Sequence, residues 1–137
     1  MSGAVRFSVS LGDDLLKHFD AMWKGDGHPT RSEAVQALIR QSLVMKEWQA
    51  GTDVAGSVVI VYDHHARALA SELVDVQHDY QHVVVATQHA HLDHDNCLES
   101  VIVKGKASDV EQFVKRLKSL KGLKHVSLVR TTTGTDV

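Results

Sequence analysis

Between residues 57 and 130 the apolar pattern alternates between a period of two and a period of 3.6, and the order of those blocks constrains the fold more than any single motif. Val58-Val59-Ile60-Val61 and Val83-Val84-Val85 read as buried strands, and Val110, Phe113, Val114 and Leu117 give a helix a buried stripe. The order predicted is strand (57–62), helix (66–80), strand (82–91), strand (97–104), helix (107–120), strand (124–130). A β-α-β-β-α-β order is the ferredoxin-like arrangement, an antiparallel sheet with both helices on one face. The expected class is α+β.

The front of the chain is built differently. Val5, Phe7 and Val9 alternate with Arg6, Ser8 and Ser10, as in a strand with one apolar face. Asp13 and Asp14 favour a helix N-terminus, and Leu15, Leu16, Phe19, Met22 and Trp23 follow at helical spacing. Gly25 to Pro29 break that helix, and Thr30-Arg31-Ser32-Glu33 has the form of a capping box. The second helix is expected to bury Ala34, Leu38, Ile39, Leu43 and Trp48. A lone strand leaves both edges unpaired, and so small a unit struggles to bury a core, so pairing of two copies through residues 5–10 is expected. The domain reading is 1–49 for this unit, 50–56 for a linker, 57–131 for the second domain and 132–137 for a flexible tail.

Five of the ten histidines and the single cysteine lie between positions 78 and 97. His89 and His91 are two apart on a predicted strand and share a face, while Leu92 to Asn96 suit a turn that returns Cys97 alongside. Imidazole and thiolate are good donors for borderline and soft metals. The competing reading, half-buried strand histidines and a cysteine acting as a small hydrophobe, is the weaker one. Three nitrogens and a sulfur in a plane suit nickel or copper, whereas a tetrahedral set suits zinc; spacing leaves these open. Glu99, two residues past Cys97, could accept a hydrogen bond from a ligating histidine.

Arg6-x-Ser8-x-Ser10, Arg31-Ser32-Glu33-Ala34, Val76-Gln77-His78 and His89-x-His91-x-x-His94-x-x-Cys97-Leu98-Glu99 together resemble the nickel-responsive ribbon–helix–helix repressors, the NikR family. That resemblance implies an N-terminal ribbon–helix–helix DNA-binding domain (βαα, dimeric) and a C-terminal domain of ACT type. It also implies a homotetramer in which two DNA-binding dimers flank a metal-binding core. One Ni(2+) per subunit would be held by His89, His91 and Cys97, with His78 supplied by a neighbouring subunit. His64, at a strand–helix junction, is a candidate ligand in an alternative arrangement. His94 reads as solvated or as a ligand for other metals, and His18, His28, His82 and His125 as surface residues. One of the two acidic positions of a potassium site in some relatives matches Glu33, but the other falls on Ala37, so that site is not carried over.

A two-stranded ribbon fits the major groove of duplex DNA, where Arg6 would meet a guanine edge and Ser8 and Ser10 offer adaptable hydrogen bonds. Arg31, Ser32 and the backbone at the start of the second helix would meet a phosphate. Bulk charge does not supply this binding. The net charge is −2, and residues 1–50 hold six Lys/Arg and six Asp/Glu.

The resulting expectation is a nickel-responsive repressor of nickel-uptake genes, not an enzyme. Its rivals are a repressor or storage protein for copper, cobalt or zinc, and, with less support, a metal-dependent enzyme. No apolar run approaches the ~20 residues of a membrane span. The absence of a signal-like N-terminus and of a second cysteine points to the cytoplasm.

Overall fold

The computed structural model describes residues 3–137. Contacts divide the chain into two units, residues up to 41 and residues 42–137.

In the first unit, residues 3–12 form no strand or helix. The strand expected over 5–10 is absent because a strand is defined by its ladder, and one chain offers this segment no second strand. Val5, Phe7 and Val9 are 89%, 71% and 70% exposed. Helix α1 (Asp13–Gly25) carries Asp13 and Asp14 in its first turn, where carboxylates complement the dipole. Helix α2 (Arg31–Ala50) starts as the capping motif predicts, with the Glu33 N–H donating to Thr30 Oγ1 at 3.1 Å. Asp20 on α1 ties the two helices. It accepts two bonds from Arg31, at 3.0 and 2.8 Å, and one from the Trp23 indole at 2.8 Å. These donors, Arg31 first, hold the Asp20 carboxyl below its ordinary range.

The apolar stripe expected along α2 is only partly buried. Ala34 and Trp48 are covered, whereas Leu38, Ile39 and Leu43 are 42%, 47% and 40% exposed. A strand-less pair of helices has no second layer to lay over them.

The second unit contains β1 (Asp53–Asp63), α3 (Arg67–Asp79), β2 (Val84–His91), β3 (Asn96–Lys106), α4 (Ala107–Lys118) and β4 (Leu123–Thr131). All pairings are antiparallel and the strand order is β2-β3-β1-β4, which is the β-α-β-β-α-β arrangement predicted. Strand β1 alternates strictly, burying Val54, Val58, Ile60 and Tyr62 against α3 residues Leu69, Leu73 and Val76 and α4 residues Val110, Phe113 and Leu117. Each such side chain contributes about 1.5–3 kcal/mol.

Strand β1 reaches back to Asp53, so of the linker expected over 50–56 only Gly51 and Thr52 lie outside an element, and both are held. Gly51 closes α2 at φ +72°. Thr52 donates to the Glu47 carbonyl at 3.1 Å and accepts the Ala107 N–H at 3.1 Å. Gly56, the last residue of the expected linker, is a strand residue. A Cβ there would lie 2.7 Å from the Val129 carbonyl oxygen of β4. Residues 132–137 have no regular element, but the Thr132 hydroxyl lies 3.3 Å from Glu47 Oε1, and the Trp48 indole donates to the Thr131 carbonyl at 2.9 Å. No helix among the described residues is long and apolar enough to cross a membrane.

Candidate metal centre

The β2–β3 hairpin positions the cluster by its register. His91 lies directly opposite Cys97, and His89 directly opposite Glu99. On the other side of β3, Cys97 pairs with Tyr62 and Glu99 with Ile60. Paired residues share a face, so His89, His91, Cys97 and Glu99 lie on the face that carries the core. The turn is made by Asp93, whose Oδ1 accepts the N–H groups of Asp95 (2.9 Å) and Asn96 (2.8 Å) while the Asn96 amide donates to both carboxylate oxygens. The Asn96 and Asp95 donors pull the Asp93 carboxyl down to about 2.

Cys97 is fully buried, and burial pushes its thiol up, with the Glu99, Asp63 and Asp93 carboxylates adding to the shift. Its Sγ lies 3.3 Å from His91 Nδ1. Two ligand atoms each about 2.0–2.3 Å from one ion stand roughly 3–4 Å apart, so this pair has the separation a shared metal needs. His64, in the turn after β1, completes a trio: His64, His91 and Cys97 each offer a donor atom within 4.8 Å of the others. His64 Nδ1 lies 3.1 Å from the Asp95 carbonyl oxygen, which can only accept; Nδ1 therefore carries the proton and Nε2 is left with its lone pair.

His89 is held beside this trio, its ring centroid 5.1 Å from that of His91. Its Nδ1 lies 3.3 Å from Glu99 Oε1 and 3.4 Å from the Tyr62 hydroxyl. With Glu99 accepting, His89 Nε2 is the atom left for a metal. Glu99 is itself fixed. Gln77 of α3 donates to its other oxygen at 3.2 Å, Thr87 donates to Gln77 at 2.7 Å, and the Tyr62 hydroxyl donates to Glu99 Oε1 at 3.4 Å. Burial first, then Glu99, pushes the Tyr62 phenol up to about 12, so it stays protonated and donates.

Glu99 thus lies within hydrogen-bond reach of His89. Sequence reasoning gave Tyr62 and Thr87 no place and quoted Gln77 only within a motif; the one local signal for Tyr62 is its position at the end of a buried strand. His78 lies exposed in the last turn of α3 and joins no trio of potential ligands among the described residues. Of the residues expected at DNA, Arg6, Ser8 and Ser10 lie exposed in the segment before α1, which forms no regular element, and Ser32 is exposed in the first turn of α2. Arg31 is engaged by Asp20.

The donor set, two or three imidazoles and one thiolate, suits a borderline transition metal. Comparisons with known proteins agree. Residues 55–131 match the model of the NikR C-terminal nickel-binding domain. The chain is 51% identical over 93% of its length to a protein of Chlorobium phaeobacteroides provisionally named a nickel-responsive regulator, covering 96% of it. A Syntrophus aciditrophicus protein of the same provisional name is 49% identical over 93% of both chains. One from Pyrococcus furiosus is 46% identical over 98% of this chain and 99% of its own. Among solved structures, an uncharacterized Thermotoga maritima protein matches 57% of this chain and 96% of its own with a TM-score of 0.51 at 10% identity, a likeness of fold alone. With the matched domain spanning the hairpin and its ligand-type residues, the chain belongs to the family of nickel-responsive regulators.

Proposed function

We propose that this chain is a nickel-responsive transcriptional regulator, binding operator DNA through a two-stranded ribbon when Ni(II) occupies the second unit. The observation that carries the reading is the register of β2 on β3, which sets His91 against Cys97 and His89 against a hydrogen-bonded carboxylate. His89, His91 and Cys97 would hold the ion, and His78 of the partner subunit completes the set. In support, His78 is exposed although its neighbours Val76 and Gln77 are taken up by the core and by Glu99. When bound, the ion supplies a fixed positive charge that several donors from two chains must surround together.

The first unit argues for pairing. Among its described residues Ala34 alone is fully buried, while Val5, Phe7 and Val9 are exposed and, with Arg6, Val35 and Ile39, line an open groove. A second copy of residues 5–10 would close it as an antiparallel ribbon, putting Arg6, Ser8 and Ser10 on the outer face for base contacts. Ser32 and the α2 N-terminus would take a phosphate, with Arg31 contributing through its position rather than through a free guanidinium. A homotetramer of two such dimers around an ACT-type core follows from joining this pairing to the shared metal set. Metal and DNA affinity would then be linked reciprocally.

A second reading has its own observation. His64, His91 and Cys97 assemble within one chain, so a metal preferring fewer, intrachain ligands would occupy that trio without ordering a second subunit. The test is a Ni(II) titration with thiolate charge-transfer absorption and an operator shift assay, on wild type, Cys97→Ala, His78→Ala, His64→Ala and Arg6→Ala. The reading requires loss of the band in Cys97→Ala, weaker nickel binding in His78→Ala but not in His64→Ala, and loss of DNA binding with retained nickel in Arg6→Ala. DNA affinity indifferent to nickel would overturn it.

A further inference from the structure

Asn96 joins the turn of the β2–β3 hairpin to its cysteine. It opens β3 one position before Cys97 and pairs across the sheet with Asp63, the last residue of β1. All its polar groups are engaged. The N–H donates to Asp93 Oδ1 at 2.8 Å, the side-chain amide donates to both Asp93 oxygens at 3.0 and 2.9 Å, and the carbonyl accepts the Leu92 N–H at 2.9 Å. The remaining atom, Oδ1, accepts from Lys124 Nζ. Lys124 does not belong to the hairpin. It is the second residue of β4, and in the strand order β2-β3-β1-β4 its side chain has to pass the end of β1 to reach Asn96. Among the described residues no other side-chain hydrogen bond joins β4 to β2 or β3. The ammonium also acts on two nearby carboxylates. The His65 N–H is the first cause holding Asp63 low and the Asn96 amide the first holding Asp93 low, and Lys124 adds to each.

We propose that Lys124 is a positioning residue for the metal centre, fixing the Asn96 amide from the far edge strand and, through it, the turn that sets Cys97 against His91. The role rests on the ligand set proposed above. An ammonium only donates, so it bonds Asn96 through Oδ1 and leaves the NH2 group for Asp93, a carboxylate that only accepts. Partners of opposite kind at the two ends of one amide hold a torsion that is broad when left free. Asn96 is one peptide from Cys97, so the direction of the Cys97 Cα–Cβ bond follows the backbone held there. Lys124 also has an electrostatic effect of opposite sign, since a fixed cation disfavours a dication nearby. The two effects predict opposite results when Lys124 is removed: a looser hairpin weakens metal binding, whereas the lost cation tightens it.

The test uses the full-length protein in competition for Ni(II) against a chromogenic chelator, with the thiolate charge-transfer band recorded. The variants are Lys124→Met, Lys124→Arg, Asn96→Ala and the double variant Lys124→Met with Asn96→Ala. Direct orienting partners of ligands contribute roughly 10–100-fold, and Lys124 stands further out, so Lys124→Met should weaken nickel binding by about threefold to tenfold. Lys124→Arg, which keeps both charge and donor, should restore most of it. Asn96→Ala should weaken binding at least as much, and adding Lys124→Met to it should cause no further loss, because the path runs through Asn96. Melting curves of the metal-free Lys124 variants should match wild type, since an exposed contact of this kind contributes little to folding. A role in folding alone would move those curves and leave the affinity in place. Nickel binding that is unchanged or tighter in Lys124→Met, or losses that add in the double variant, overturns the proposal. A wild-type protein without the charge-transfer band overturns the ligand set and this role with it.

Discussion

Glu99 is the position at which the proposed metal set can be tested without touching a ligand. Its carboxylate lies 3.3 Å from His89 Nδ1 and takes a second bond from Gln77, and its side chain is 14% exposed. Orienting partners of ligating histidines typically contribute 10–100-fold in metal affinity, about 1.4–2.7 kcal/mol. Glu99→Gln keeps an oxygen for His89 but removes the charge, so the loss should fall near tenfold. Glu99→Ala also frees the His89 ring and strands the Gln77 amide, which places it near a hundredfold. One effect opposes this. Glu99 helps to raise the Cys97 thiol, so its removal makes the thiolate easier to form. That gain is the smaller, because burial is the main cause of the shift and a bound dication offsets the rest. The assay is competition for Ni(II) against a chromogenic chelator at fixed pH, with melting curves of the metal-free proteins beside it. Unchanged or tighter nickel binding in Glu99→Ala, with a normal fold, would refute the role assigned to Glu99 and to the His89 tautomer it sets.

Gly56→Ala should destabilise the second unit by about 1–3 kcal/mol, since the new Cβ meets backbone of β4 rather than a movable side chain; thermal melts should fall by about 4–8 °C per kcal/mol. Asp20 is held below its ordinary 3.8 by Arg31 and then Trp23, so it stabilises the α1–α2 pair above that pH, and the tie is lost as pH falls through its lower folded value. The Trp23 indole N–H resonance should report the change on acid titration, and Asp20→Asn should remove the pH dependence. Asp93→Ala withdraws the acceptor of the Asp95 and Asn96 N–H groups, so hydrogen exchange in residues 92–96 should accelerate and nickel affinity fall. Unaltered exchange there would show that strand pairing alone holds the turn.

Much of this was legible in the sequence because short-range signals and tertiary demands agree. The alternation in 57–62 and the stripe at Val110, Phe113, Val114 and Leu117 each admit one face to a core, and the observed elements depart from the expected bounds by a few residues. The hairpin was legible for the same reason: period two set His89 with His91, and a short polar turn returned Cys97. What stayed hidden depends on pairing across the fold. Tyr62 reaches the cluster only because β1 lies next to β3, and Gly56 is required by the approach of β4, which no local pattern records. The exposure of Leu38, Ile39 and Leu43 has another cause, since a stripe predicts that a face will be covered without saying by which chain.

The hairpin register carries a constraint on how this protein can change over generations. Because His89 faces Glu99 and His91 faces Cys97, a slip of one strand by a single residue would bring Gln88 and Ala90 to that face and turn both histidines to the other. The cluster is thus governed by parity. Substitutions between Leu92 and Asn96 that keep the turn can accumulate, whereas a gain or loss of one residue that shifts the pairing removes two of the proposed ligands in a single event. Lineages descending from this chain should vary in the composition of that turn far more freely than in its length.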